Sequence, residues 1–227
     1  MVRSKVVEAP LIFVLYDGEL RSIGRRSAVM RGDEAETTHL RSLPGASNHL
    51  RLFQIDLLDP DYIVAAIRSV SGVFHLASPC IITRVQDPQR ELLDPAVTGT
   101  LNVLHATKES GVRRVVVTSS ISAIVPSPGW PTDWVKDESY WTNLDYCRQK
   151  ELWYPISKMM AEKVAWEFAN KNHLDVVVVN PGTVLGPIIP SMINSSMTVL
   201  VQLIEGHELS FTIIINLRFQ NMFKDSL

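Results

Sequence analysis

The sequence is poor in several features that mark specialised classes of protein. Among its 227 residues only Cys80 and Cys147 are cysteines, too few for a disulfide scaffold or a zinc site. The six histidines show no ligand spacing with cysteines or carboxylates, so we expect no metal site. The formal net charge of −2 gives no reason to expect nucleic acid or an anionic membrane as a partner.

Long apolar runs are also missing. No stretch reaches the roughly 20 apolar residues that a membrane-spanning helix needs. The apolar stretch Ala9–Tyr16 follows two basic residues, but Glu8 interrupts it and no clear small-residue cleavage site follows. We therefore expect a cytoplasmic protein without a membrane partner.

Glycine is scarce where a dinucleotide fold would need it. Such a fold places a G-x-G-x-x-G or G-x-x-G-x-x-G turn between its first strand and first helix, so that the backbone approaches the pyrophosphate. Here Leu11–Tyr16 has the composition of a strand and Asp17-Gly18 that of a turn, but Gly24 stands alone. Residues 1–27 are therefore expected to form an atypical N-terminal segment.

From Ala28 onward the pattern becomes regular, because short apolar runs alternate with helical periodicity. The alternation predicts a parallel, doubly wound, Rossmann-like α/β sheet over residues 28–205. The clearest predicted elements are strands at Leu50–Leu57, Gly72–Ala77, Arg113–Ser120 and Leu174–Asn180, and helices at Asp61–Val70, from near Pro95 to Ser110, and at Tyr154–Asn172. The connection Pro126–Leu152 carries three tryptophans, and its length is typical of a functional loop or substrate flap.

Tyr154 and Lys158 are the strongest candidates for catalysis. Residues four apart lie on one face of a helix, and an ammonium near a phenol is expected to lower the pKa of the phenol. Pro155 is tolerated only in a first turn, so the helix should begin near Tyr154. The pair also occurs on ordinary surface helices. It gains weight because the preceding predicted strand ends in Ser119-Ser120, and a serine, tyrosine and lysine together can move a hydride and a proton at a carbonyl.

The chain resembles the extended short-chain dehydrogenase/reductases, and within them the plant cinnamoyl-CoA reductase and dihydroflavonol reductase group. The resemblance runs from about Ala28 to Glu205. The matching pieces, in the family's order, are Leu43–Ala46, Asp56-Leu57, Val73–Pro79, Val117–Ser120, Asp137–Ser139, Trp153-Tyr154-x-x-x-Lys158 and Asn180–Pro187.

The resemblance implies a role for each catalytic candidate. Tyr154 would protonate the carbonyl oxygen, and Lys158 would lower the pKa of Tyr154 and hold the nicotinamide ribose. Ser120 would hydrogen-bond the substrate oxygen, with Ser119 and Ser122 as nearby alternatives.

The resemblance also implies NADP(H) as cofactor. Arg31, just past the second strand, would contact the 2′-phosphate and favour NADPH, although a solvated loop charge is an equal alternative. The implied cofactor-binding residues are Arg31, Asp56, Leu57, Ala77, Ser78, Tyr154, Lys158, Pro181, Gly182, Thr183, Val184 and Ser196.

The chain departs from the family pattern in three places. Residues 1–27 lack the glycine turn, and residues 206–227 form an atypical C-terminal tail. Leu152–Lys158 reads Leu-Trp-Tyr-Pro-Ile-Ser-Lys, where the reductases themselves carry Asn-Trp-Tyr-Cys-Tyr-Gly-Lys. We expect a fold that is incomplete at both ends, with weak or absent NADPH binding.

Three functions remain open. The first is NADPH-dependent reduction of a small phenylpropanoid-type molecule, either an aromatic aldehyde or a hydroxycinnamoyl thioester. The second is a truncated, catalytically silent family member, a partner-binding isoform or the product of a misread gene. The third is a sugar-nucleotide epimerase or dehydratase, which the aromatic connection and Asp137-Glu138-Ser139 disfavour.

Overall fold

The computed structural model divides into two compact units, Met1–Gly182 and Thr183–Leu227. The residues described are 12–15, 26–29, 38, 40–42, 45–53, 55–68, 70–81, 85–131, 133–184 and 195–205. Arg31, which the resemblance assigns to the 2′-phosphate, and the tail 206–227 lie outside them.

One sheet organises the described part of the first unit. Its strands are β1 Ile12–Leu15, β2 Arg26–Val29, β3 Leu50–Phe53, β4 Gly72–His75, β5 Arg114–Thr118 and β6 Asp175–Val179. The helices of this unit are α1 Ala46–His49, α2 Pro60–Ile67, α3 Asp94–Glu109, α4 Leu144–Gln149 and α5 Trp153–Asn172. A π-helical turn, Gln89–Leu93, leads into α3, and a 3-10 turn, Ile121–Ala123, follows β5. The second unit contributes α6, Ser195–Ile204.

The strand order is β3-β2-β1-β4-β5-β6, the order of a dinucleotide-binding sheet. Strands β2 and β3 pair in parallel, as do β4, β5 and β6. The predicted Rossmann-like α/β fold is confirmed.

Strand β1 lies where the first strand of such a sheet belongs, but it runs in the opposite direction. It pairs antiparallel with both neighbours, with Ile12 opposite His75 and Leu15 opposite Gly72. The chain therefore leaves β1 at the amino-terminal edge of β4, whereas a phosphate-binding turn follows the first strand at the carboxyl-terminal edge. The run Leu11–Tyr16, which has the composition of a strand, thus contains a strand, but with a polarity opposite to that of the usual first strand.

Helices α2, α3 and α5 cover one face of the sheet. The core on this face combines Ile63 and Ile67 of α2, Val103 and Leu104 of α3, Val73 and Val115 of the strands, and Ala165 and Phe168 of α5. Burying a large aliphatic side chain contributes roughly 1.5–3 kcal/mol, so this layer fixes the position of α5 on the sheet. On the opposite face, Phe74 and Val177 share a register across β4, β5 and β6 and remain 38% and 40% exposed.

Local signals explain where the helices begin and end. The Asp59 carboxylate caps α2 by accepting from the Asp61 N–H, and Pro60 occupies its first turn. Pro95 lies in the first turn of α3, as expected. Helix α5 begins at Trp153, so Tyr154 and Pro155 lie in its first turn as predicted, and it ends at His173 in a left-handed conformation. No helix in the described ranges is long and apolar enough to cross a membrane.

Candidate active site

The carboxyl ends of β4, β5 and β6 meet at one edge of the sheet and build the candidate site. The segments that follow them are held together by backbone hydrogen bonds. The Ser119 N–H donates to the carbonyl of Val179 at 2.9 Å, and the Ile121 N–H donates to that of Pro181 at 2.9 Å. Side chains that leave β5 and β6 are therefore fixed relative to one another.

The structure brings the three predicted catalytic side chains together. Ser120 follows β5 and hydrogen-bonds Tyr154, an interaction that favours ionisation of the phenol. Its hydroxyl also accepts from the Ser122 N–H at 3.1 Å and so caps the 3-10 turn. Lys158 lies one turn further along α5. Of the three serines considered, Ser120 is the one that acts on Tyr154. The Ser119 hydroxyl donates to Glu162 instead.

Lys158 is buried at the centre of this site, with only 5% of its surface exposed. Its ammonium donates to the Thr118 carbonyl at 3.1 Å. Burial lowers the pKa of Lys158 to about 8, while Cys80 and Glu162 act in the opposite direction. The amine therefore titrates near pH 8 and remains mostly an ammonium at neutral pH.

The expected lowering of the Tyr154 pKa is wrong for this arrangement. Burial raises the pKa of Tyr154, and the Cys80 thiol, which follows β4, adds to the rise; the hydrogen bond to Ser120 acts against it. Desolvation of a phenolate outweighs the effect of Ser120. Tyr154 is therefore held as a neutral phenol, the form that donates a proton. No local pattern in the sequence indicates a thiol beside it.

A buried carboxylate behind Lys158 was missed by the sequence analysis. Glu162 is 3% exposed and accepts hydrogen bonds from the Ser119 hydroxyl at 2.5 Å and the Asn180 amide at 2.8 Å. Glu162 and Lys158 line a cavity of about 10 Å³, together with His75 and Ser78. The only hint in the sequence was that Glu162 lies four residues after Lys158, which places both side chains on the same face of the helix.

His75 is buried at the end of β4, beside this cavity. Its Nε2 lies 3.2 Å from the Thr100 hydroxyl. Burial, and secondly the charge of Lys158, lowers the pKa of His75 to about 3, so the ring is neutral. It serves as a polar wall of the site without adding charge.

Apart from Arg31, Tyr154 and Lys158, the predicted cofactor residues fall into three groups. Ala77 and Ser78 follow β4, and Pro181 and Gly182 follow β6, so these four lie at the same edge of the sheet as Lys158. Asp56 and Leu57 lie beyond β3. Their turn is fixed because the Asp56 carboxylate accepts from the Leu58 N–H and the Leu57 carbonyl accepts from Asn102.

Thr183, Val184 and Ser196 belong to the second unit. There the Val184 N–H donates to the Ser196 hydroxyl at 3.2 Å. This bond ties the segment after Gly182 to helix α6. The proposed cofactor contacts of these three residues stay predictions.

The long connection forms an aromatic groove of about 500 Å³ against α5. Trp130 and Trp141 line it, and Lys163 lies 5.1 Å from the centre of the Trp141 ring. The groove is distinct from the cavity beside Lys158. Its role as a substrate flap stays a prediction.

Comparison with known proteins places this geometry in a family. The model of the NAD-dependent epimerase/dehydratase family matches residues 21–215. The chain belongs to this family. Cinnamoyl-CoA reductase 2 of Medicago truncatula is 42% identical over 181 residues, covering 80% of this chain and 52% of that protein. This chain thus spans about half the length of the curated relatives it matches.

Solved structures of the family agree with the fold. Vestitone reductase from alfalfa superimposes with a TM-score of 0.65 at 33% identity, covering 78% of this chain and 55% of that one. Yeast methylglyoxal/isovaleraldehyde reductase, solved in complex with NADPH, gives a TM-score of 0.61 at 28% identity, covering 70% and 51%. The resemblance to reductases of this group, inferred from the motifs, is confirmed.

Proposed function

We propose that this chain carries the carbonyl-reducing site of an NADPH-dependent reductase of phenylpropanoid type. Its substrate class would be an aromatic aldehyde or a hydroxycinnamoyl thioester. The observation that carries the proposal is the grouping at one edge of the sheet of Ser120, Tyr154 and the buried ammonium of Lys158, which donates to the Thr118 carbonyl. The 42% identity to a cinnamoyl-CoA reductase supports the substrate class.

The arrangement suits reduction because each side chain has a separate task at one carbonyl. The Ser120 hydroxyl would hydrogen-bond the substrate oxygen and hold it beside Tyr154. The neutral phenol of Tyr154 would pass its proton to that oxygen as negative charge develops there. The Lys158 ammonium would supply positive charge behind the phenol. NADPH, when bound, would supply the hydride for the carbonyl carbon.

The fit to the cofactor is uneven. The nicotinamide end has suitable neighbours, since Lys158, Ala77 and Pro181 share one edge of the sheet. The pyrophosphate end lacks the usual cradle: the sequence has no glycine cluster, and β1 leaves the sheet at the opposite edge. We therefore propose that NADPH binds weakly, with Arg31 contributing a preference over NADH.

Replacing Tyr154 by phenylalanine tests the proposal directly. NADPH oxidation would be followed with an aromatic aldehyde and with a hydroxycinnamoyl thioester. Loss of a general acid is expected to cost about 100-fold or more in turnover, while thermal unfolding stays unchanged. Tyr62→Phe is the matched control, because Tyr62 lies exposed on α2 and should leave turnover unaffected. Normal turnover in Tyr154→Phe would refute the role.

A catalytically silent family member is the second candidate. The reversed β1 and the partly exposed face around Phe74 and Val177 favour it, because parallel sheets are normally covered on both faces. Under this alternative, the unmodified chain would bind no NADPH and reduce neither substrate. Any turnover that depends on Tyr154 would exclude it.

A further inference from the structure

Three polar side chains follow one another along the inner face of α5. Tyr154, Lys158 and Glu162 are spaced by four residues, so each lies about one turn beyond the last. The third is a carboxylate with 3% of its surface exposed. A buried carboxylate is costly unless it is hydrogen-bonded, so its partners indicate what it does.

The partners of Glu162 come from the ends of both strands that frame the site. Ser119, after β5, donates to Oε2 at 2.5 Å, and Asn180, after β6, donates to the same oxygen at 2.8 Å. Asn180 also donates to the Ser120 carbonyl at 3.2 Å. Trp166 donates to Oε1 at 3.4 Å. One carboxylate therefore joins the helix of Tyr154 to the backbone that presents Ser120.

Glu162 also faces Lys158 across the cavity of about 10 Å³ that both side chains line. Within the described residues Glu162 forms no ion pair, and its hydrogen-bond donors are neutral. Its charge acts on the Lys158 ammonium across this cavity. That charge raises the pKa of Lys158 against the effect of burial. The other titratable groups that face Lys158 are His75 of β4, Cys80 after β4, and Tyr154 of α5; β5 and α3 offer only backbone or hydroxyl groups.

We propose that Glu162 is a positioning residue, which locks the ends of β5 and β6 onto α5 and supplies the negative charge behind the Lys158 ammonium. Its importance for catalysis rests on the proposed reductase function. Its effect on Lys158 does not, because that effect requires neither cofactor nor substrate.

The test follows the Lys158 amine itself. Protein labelled with ¹⁵N-lysine would be titrated by NMR from pH 6 to pH 10, an interval chosen to bracket the pKa of about 8. The Lys158 signal is assigned by its loss in Lys158→Met. In Glu162→Gln, which keeps the shape of the side chain and removes its charge, the Lys158 pKa is expected to fall further below about 8. Glu167→Gln removes an exposed carboxylate from the same helix and should leave the titration unchanged.

A folded Glu162→Gln protein with an unchanged Lys158 titration would overturn the proposal. If that variant does not fold, Glu162→Met replaces it, because an unbranched apolar side chain of similar size fills the same space without a buried charge. The same downward movement of the Lys158 pKa is expected there. Failure of both variants to fold would assign Glu162 to stability alone and would also overturn the proposal.

Turnover gives a separate readout. Where the unmodified chain reduces a carbonyl, Glu162→Gln should lose activity at a lower pH than wild type, because Lys158 then loses its proton earlier. An absence of turnover in the unmodified chain would count against the reductase function and leave the NMR result standing.

Discussion

The two sides of the sheet differ in how closely they match a working reductase. On the side of β4, β5 and β6, here called the catalytic side, the strands run in parallel. Ser120 follows β5 and lies close to Tyr154 and Lys158 of helix α5. On the side of β1, the strand order is also that of a dinucleotide-binding sheet, but the first strand runs in the opposite direction. The comparison shows that the grouping of these three side chains depends on local spacing at strand and helix ends. Phosphate binding depends on strand direction, which local spacing does not determine.

The largest expected effect concerns the buried charge on the catalytic side. The pKa of Lys158 is about 8 in the folded chain against 10.5 for an unhindered lysine. Between these values the unfolded chain binds more protons, so the free energy of unfolding should rise with pH, by on the order of 3 kcal/mol if the whole interval were accessible. Above pH ~10 the raised pKa of Tyr154 acts in the opposite direction, because the unfolded tyrosine ionises first.

Urea denaturation at several pH values from 7 to 9.5 would measure this rise. Lys158→Met removes the group and should give a flatter dependence over the same interval. A rise of equal size in Lys158→Met would show that other groups cause it, and the catalytic side would then lack the buried ammonium on which the comparison depends.

A smaller effect separates the two serines after β5. Ser120 hydrogen-bonds Tyr154, whereas Ser119 donates to Glu162. Ser120→Ala should lower turnover by about 10- to 100-fold with little loss of stability, since one hydrogen bond to a developing charge is removed. Ser119→Ala should cost about 1–3 kcal/mol of unfolding free energy, because a buried carboxylate loses a donor.

Steady-state kinetics and thermal unfolding of both variants would check this division. The reverse pattern, with turnover lost mainly in Ser119→Ala, would reassign the substrate contact to Ser119. Ser122→Ala is the third comparison, because this serine takes part through its backbone N–H.

Much of the catalytic side could be predicted from the sequence. The strand predicted at Arg113–Ser120 is observed at Arg114–Thr118, and the helix predicted from Tyr154 begins at Trp153. The position of a proline and the extent of an apolar run are local signals, and both agree with the observed elements. The Tyr154–Lys158 spacing is likewise a local signal, because any helix places residues four apart on the same face.

The rest depends on packing that no local pattern contains. The run Leu11–Tyr16 has the composition of a strand but gives no information on strand direction, so the reversal of β1 is visible only in the sheet. A glutamate in a helix is usually exposed, so the sequence does not indicate that Glu162 is buried. Its burial depends on Ser119 and Asn180, which come from two different strand ends and donate to its carboxylate. The rise in the Tyr154 pKa follows from desolvation, which the Tyr-x-x-x-Lys spacing cannot show.

Titration of the purified chain with NADPH by calorimetry would show whether the catalytic side of the sheet binds the cofactor although β1 is reversed. We expect saturable binding of NADPH with a Kd in the high-micromolar to millimolar range, weaker binding of NADH, and weaker binding of NADPH in Lys158→Met. Lys163→Met, on the neighbouring groove, should bind as wild type does. No binding of NADPH at millimolar concentration would contradict the account, because the site would then have no source of hydride.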